Sequence, residues 1–165
     1  MNDQTDLLHW EDFHPGQTFD LGSYDVPLEE IVAFARQYDP QGFHVDEEQA
    51  KASPFGGIVA SGWHTGAISQ RLLVEQLLLR TACQGSPGVD ELRFLKPVRP
   101  DDVLRGRLTI VETRPSSRRP DRGTVTTRYE LENQRGEVVL SMAARVMFER
   151  RDPAEGSGPP DANGS

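Results

Sequence analysis

The chain has 165 residues, within the roughly 100–200 that make one domain with a real core, and its 18 Lys and Arg against 26 Asp and Glu leave a net charge of −8. That sign repels phosphate backbones and anionic bilayers, so nucleic acid and membrane surfaces are excluded as expected partners, although a local basic groove would still hold a small anion. A single cysteine, Cys83, cannot form an internal disulfide; the opening MNDQTDLLHWEDF lacks a signal-like basic start and apolar stretch; and no apolar run reaches the roughly 20 residues of a membrane span, so the expected location is the cytoplasm.

In chain order, Gln17 to Val26 (QTFDLGSYDV) alternates loosely and is expected to be an edge strand. PLEEIVAFARQY follows, with Pro27 where a first helical turn tolerates it, Glu29 and Glu30 near the positive helix end, and Ile31, Phe34, Ala35 and Tyr38 at i, i+3, i+4 and i+7. This predicts an amphipathic helix that stops at Asp39, because the residue before Pro40 is pushed out of the α region. DPQGFH, residues 39 to 44, reads as an irregular loop, VDEEQAKAS as a short acidic-started helix, and SPFGGIVASG as a Gly- and Ser-rich turn region.

WHTGAISQRLLVEQLLLRTA is rich enough in apolar residues to predict a helix buried on most of its surface. Its wrapper is GVDELRFLKPV, DVLRGRLTIVETR, GTVTTRYELEN and EVVLSMAARVMFER, four β-rich runs separated by turn signals and no helix, which argues for antiparallel pairing. In the third, Val125, Thr127, Tyr129 and Leu131 alternate with Thr124, Thr126, Arg128 and Glu130. The fold expectation is α+β, one sheet curled around one central helix, in a single domain over residues 1–150. Residues 151–165, RDPAEGSGPPDANGS, have too little apolar surface to offset ordering entropy and are expected to be a disordered tail.

Two stretches carry residues suited to chemistry. Asp39 and His44 pair a carboxylate with an imidazole, groups that accept and donate protons near neutral pH, where Pro40 and Gly42 bend the chain. The plainer alternative is a turn-capping Asp and a half-buried loop His. In PFGGIVASGWH, the unpaired N–H groups of a helix start suit a polarised thioester carbonyl, and Gly62 lets a substrate approach the backbone; the alternative is that Ser61 simply caps the helix. His9, His14 and His64 show no zinc-ligand spacing, so no metal is expected. Cys83 has no base nearby in sequence, and VASGW is not a nucleophile elbow because Val59 stands two before Ser61.

Together, YDPQGFHVD, SPFGGIVASGWHT and ELRFLKPVRPDDVL, in that order, resemble the MaoC-like dehydratase family, which includes the (R)-specific enoyl-CoA hydratases. The resemblance covers about residues 10 to 150. It implies a hot-dog fold, in which an antiparallel sheet wraps a long helix and a helical overhang carries the active-site loop. It implies Asp39 and His44 as the catalytic dyad and the Gly62 N–H as donor to the thioester oxygen. It also implies an acyl-CoA substrate, no cofactor beyond the coenzyme A that arrives with it, and a homodimer or higher homo-oligomer. The strict family pattern has Asn-Pro inside the dyad where Gln41 and Gly42 stand here, and often a histidine where Ser61 precedes the glycine, departures that bear on substrate identity. Arg93 and Lys96 are the nearest cations for the CoA phosphates.

Three functions fit this reading. The first is reversible hydration of a trans-2-enoyl-CoA, the second thioester hydrolysis on the same fold, and the third a module that binds acyl thioesters without turnover. The intact Asp39/His44 pair favours the first.

Overall fold

The computed structural model describes residues 7–153. Five strands, β1 (Thr18–Asp25), β2 (Gly88–Phe94), β3 (Val103–Pro115), β4 (Arg122–Glu132) and β5 (Val138–Glu149), form one sheet in the order β1-β3-β4-β5-β2, every neighbour antiparallel. The helices are α1 (Leu28–Tyr38), α2 (Gly42–Val45), α3 (Glu47–Ala52) and α4 (Gly62–Gln76).

Alternation decides which face of each strand is buried. In β4, Val125, Thr127, Tyr129 and Leu131 point inward while Arg128 and Glu132 stay exposed. The inward residues of β3, β4 and β5 close around Ile68, Leu72 and Leu73 of α4 in one apolar core with Leu21 and Phe13. This is the expected hot-dog arrangement. The β4–β5 hairpin turns on Gly136, whose φ of +76° is a conformation that glycine adopts freely, while Asn133 Oδ1 accepts from the N–H groups of Arg135 and Glu137.

Two expectations change. The long helix is wrapped on one side only, with His64, Thr65, Ile68, Ser69, Leu72 and Leu73 buried and Trp63, Ala67, Arg71 and Glu75 exposed. Its abundance of apolar residues suggests burial on most of its surface, but many of them lie beyond Gln76, in the 3-10 turn Leu78–Arg80 and the bridge that follows. The loop at residues 39–44 is also more regular than expected: Gly42–Val45 makes one helical turn, closed by Asp46 N–H to Gly42 O at 2.9 Å. The expected disordered tail lies, from residue 154 on, outside the described residues. Before it, Arg151 pairs with Asp12 at 2.8 Å.

Residues 27–60 form an overhang whose two ends are fastened to one loop. Val26 N–H donates to Asp102 O and receives the Asp101 N–H on its own carbonyl, and Ala60 N–H donates to Val98 O. Asp102 is buried and holds that loop through the Arg99 N–H, Gln134 and Arg135. Among the described residues no helix is long and apolar enough to cross a membrane.

Candidate active site

Asp39 ends α1 for the reason the sequence suggests: Pro40 follows, and Asp39 leaves helical geometry at φ −150°, ψ 67° while its N–H still bonds Ala35 O. One helical turn further on, α2 carries His44 inward to 5 % exposure. The His44 Nε2 lies 3.3 Å from Asp39 Oδ2. On its other side, Nδ1 lies 2.6 Å from the Val59 carbonyl oxygen. A carbonyl only accepts, so Nδ1 carries the hydrogen and Nε2 of the neutral ring presents a lone pair to the carboxylate.

With the ring neutral, two acceptors face each other across 3.3 Å. That gap is chemically defined, because only a donor relieves it: a proton on Nε2, or a water giving one hydrogen to each side.

Ser61 does more than cap α4. Its Oγ accepts the Trp63 N–H at 3.2 Å and donates to Asp39 Oδ2 at 2.6 Å, while Gln41 Nε2 donates to Asp39 Oδ1 at 2.7 Å. The Ser61 hydrogen bond is the largest influence on the Asp39 carboxyl; partial burial pushes the other way, Gln41 and, when its Nε2 carries a proton, His44 side with Ser61, and the net result lies below the usual carboxylate range. Gln41, a departure from the strict pattern, therefore holds the other oxygen of the Asp39 carboxylate.

Gly62 opens α4, where its N–H has no intrahelical acceptor. Phe94 at the end of β2 stands directly over it, so that a Cβ at position 62 would lie 2.5 Å from the Phe94 ring. Asp39, His44 and Gly62 share one cavity of about 400 Å³ with Gln41, Thr65 and Lys96, and apolar walls including Phe43, Phe55, Trp63, Val98 and Val139. The structure thus brings the three expected site residues together. Of the two cations suggested for CoA, Lys96 lines the cavity, whereas Arg93 pairs with Glu91 on the exposed strand.

His9 and His14 sit in the N-terminal segment away from this cavity, and Cys83 is a free thiol bridged by backbone to Phe148. Among the described residues no group of three or more His, Cys, Asp or Glu could hold a metal ion. Sequence reasoning missed the second role of Ser61 and the Val59 carbonyl, because both act across folds of the chain, 22 and 15 residues from their partners.

The MaoC like domain matches residues 12–134. An uncharacterized Bacillus subtilis protein, YdeM, is 34 % identical over 140 residues, which is 85 % of this chain and 98 % of that protein. The 3-hydroxyacyl-thioester dehydratase Z of Mycobacterium tuberculosis is 31 % identical over 109 residues, 65 % of this chain and 72 % of that one. The crystal structure of a MaoC-like dehydratase from Rhodospirillum rubrum superposes with a TM-score of 0.82 at 45 % identity, covering 88 % of this chain and 99 % of that chain. With that domain matched over most of its length, the chain belongs to the MaoC-like family.

Proposed function

We propose that the protein is a hydro-lyase that adds water reversibly across the double bond of a trans-2-enoyl-CoA. The observation that carries this reading is the pair itself, His44 Nε2 opposite Asp39 Oδ2 at 3.3 Å, in one cavity with Gly62 at the start of α4.

A water donating to both acceptors has its oxygen lone pair free to attack the β-carbon. As the C–O bond forms, the alkene electron pair moves onto the thioester carbonyl, and the oxyanion that develops is stabilised by the Gly62 N–H. The water proton passes to the dyad, and the enolate collapses by taking a proton from the dyad at the α-carbon. Dehydration of a 3-hydroxyacyl-CoA runs the same steps backwards. The family membership and the dehydratase named among the relatives support the reaction class. Coenzyme A enters as part of the substrate, with Lys96 as the cavity's own cation toward it. No further cofactor is required by this chemistry.

The test follows two signals after addition of a short-chain enoyl-CoA. Loss of the conjugated-thioester ultraviolet absorbance without release of thiol is the expected outcome. Asp39→Asn and His44→Gln are each expected to lower kcat by at least about 100-fold, the scale of general acid–base assistance. Free thiol appearing at the rate of absorbance loss would assign the site to hydrolysis. Wild-type rates in both variants would overturn the dyad.

A further inference from the structure

His64 is as buried as His44, at 3 % against 5 %, and takes no part in the chemistry above. Its Nε2 lies 2.8 Å from Glu30 Oε1, and the other oxygen of the same carboxylate accepts the Tyr24 hydroxyl at 2.8 Å. Since an ionised carboxylate only accepts, Nε2 is the protonated nitrogen here, the reverse of the arrangement at His44. The imidazole is stacked on Phe34 with ring centroids 4.8 Å apart and planes 15° from parallel. Its Nδ1 is buried and has no hydrogen-bond partner among the described residues. Arg71 is the other charged side chain at this groove, lying over the Tyr24 ring and paired with Glu75.

The position of this pair matters because of what its two helices carry. Glu30 lies in the first turn of α1, and the far end of α1 is Asp39. His64 lies in the first turn of α4, three residues after Ser61 and two after Gly62. The two helices are therefore joined by side chains at the site itself, through Ser61 and Asp39, and again at Glu30, which is about 13 Å up α1 at 1.5 Å per residue. A rod attached at one point can pivot; a second attachment fixes its angle. Tyr24 adds β1 to the same carboxylate, so the fixed end of α1 is bound to both the sheet and the central helix.

We propose that Glu30 and His64 are positioning residues, whose hydrogen bond sets the angle of α1 on α4 and thereby the place of the Asp39 carboxylate relative to His44 and the Gly62 N–H. The inference rests on the hydration reading of that dyad. Its signature is selective. The α4 start is held by its own buried face, so thioester capture at Gly62 is kept, while misplacement of a reacting group by an ångström is worth up to about 100-fold in rate.

The experiment compares His64→Leu, His64→Gln and Glu30→Ala with wild type in enoyl-CoA hydration. His64→Leu keeps an apolar contact with Phe34 and loses the donor; His64→Gln keeps a donor. Glu30→Ala is a change at a partly exposed position that leaves the buried His64 in place. His64→Leu and Glu30→Ala are expected to lower kcat by about 10- to 100-fold with KM within about twofold, and His64→Gln to recover most of it. Unchanged kcat in His64→Leu and Glu30→Ala, a rise in KM alone, or equal losses in His64→Leu and His64→Gln would overturn the proposal. Amide hydrogen exchange across Tyr38–Val45 provides a second readout that does not depend on turnover. Faster exchange in His64→Leu and Glu30→Ala but not in His64→Gln supports the clamp, and unchanged protection in all three refutes it. If wild type hydrates no enoyl-CoA, the functional reading fails, and the exchange data still decide the clamp.

Discussion

The Asp39 carboxylate is held in its charged form chiefly by the Ser61 hydroxyl. Removing that donor disfavours the carboxylate, so its pKa must rise. Ser61→Ala is therefore expected to move the acid limb of the kcat/KM profile to higher pH, read from initial rates across the acidic range. The same sign governs folding: a depressed Asp39 pKa stabilises the native state above the unfolded carboxylate range and stops doing so as pH falls through the folded value. Ser61 also caps α4, and losing the cap costs about 1 kcal/mol of stability. Ser61→Thr, which keeps a hydroxyl, is expected to hold the acid limb near its wild-type position. An acid limb that stays put in Ser61→Ala would show that Asp39 does not govern it.

At the scale of the elements, β1, β3 and β4 meet at one unusual contact. Tyr129 of β4 is buried, its hydroxyl has no hydrogen-bond partner among the described residues, and burial pushes that hydroxyl's pKa well up. The oxygen lies over Gly106 of β3, where a Cβ would come within 2.6 Å of it and 3.2 Å of Leu21 Cβ on β1. Tyr129→Phe removes a polar atom that lacks a partner, so stability is expected to be unchanged or to rise by up to about 1 kcal/mol, seen as a melting temperature raised by at most about 2–4 °C. Gly106→Ala is expected to cost about 1–3 kcal/mol by overpacking, and less in the Tyr129→Phe background because the two share the contact. A large loss on Tyr129→Phe alone would contradict the unpaired hydroxyl.

Much of this level was legible in the sequence because it is local. The period of Ile31, Phe34, Ala35 and Tyr38, the stop at Asp39-Pro40 and the alternation around Tyr129 each depend on neighbours a few residues away. Asp39 and His44 were visible for the same reason. The α2 turn was hidden because Pro40 and Gly42 read as loop formers. The bonds from Ser61 to Asp39 and from His64 to Glu30 span 22 and 34 residues, and only the packing of α1 against α4 brings those partners together.

At the scale of the whole molecule, β2 pairs with β5 on one side only and forms an edge of the sheet. Val89, Phe94 and Leu95 along and just beyond it are about half exposed. An open edge with apolar side chains is a surface that proteins cover, and a homodimer of the kind that the family resemblance implies would join two such edges. Light scattering at micromolar concentration is expected to give the mass of two chains, and Val89→Asp to shift it toward one. A wild-type monomer at that concentration would sink the arrangement.

The same edge runs directly into the cavity. Phe94 stands over Gly62, and Leu95, Lys96, Pro97 and Val98 continue as cavity wall. A partner strand laid along β2 would therefore brace one side of the cavity, and its departure would leave Phe94 free to swing away from Gly62. Protein concentration then becomes a control on turnover: activity per chain should fall on dilution along the same curve as the dimer fraction.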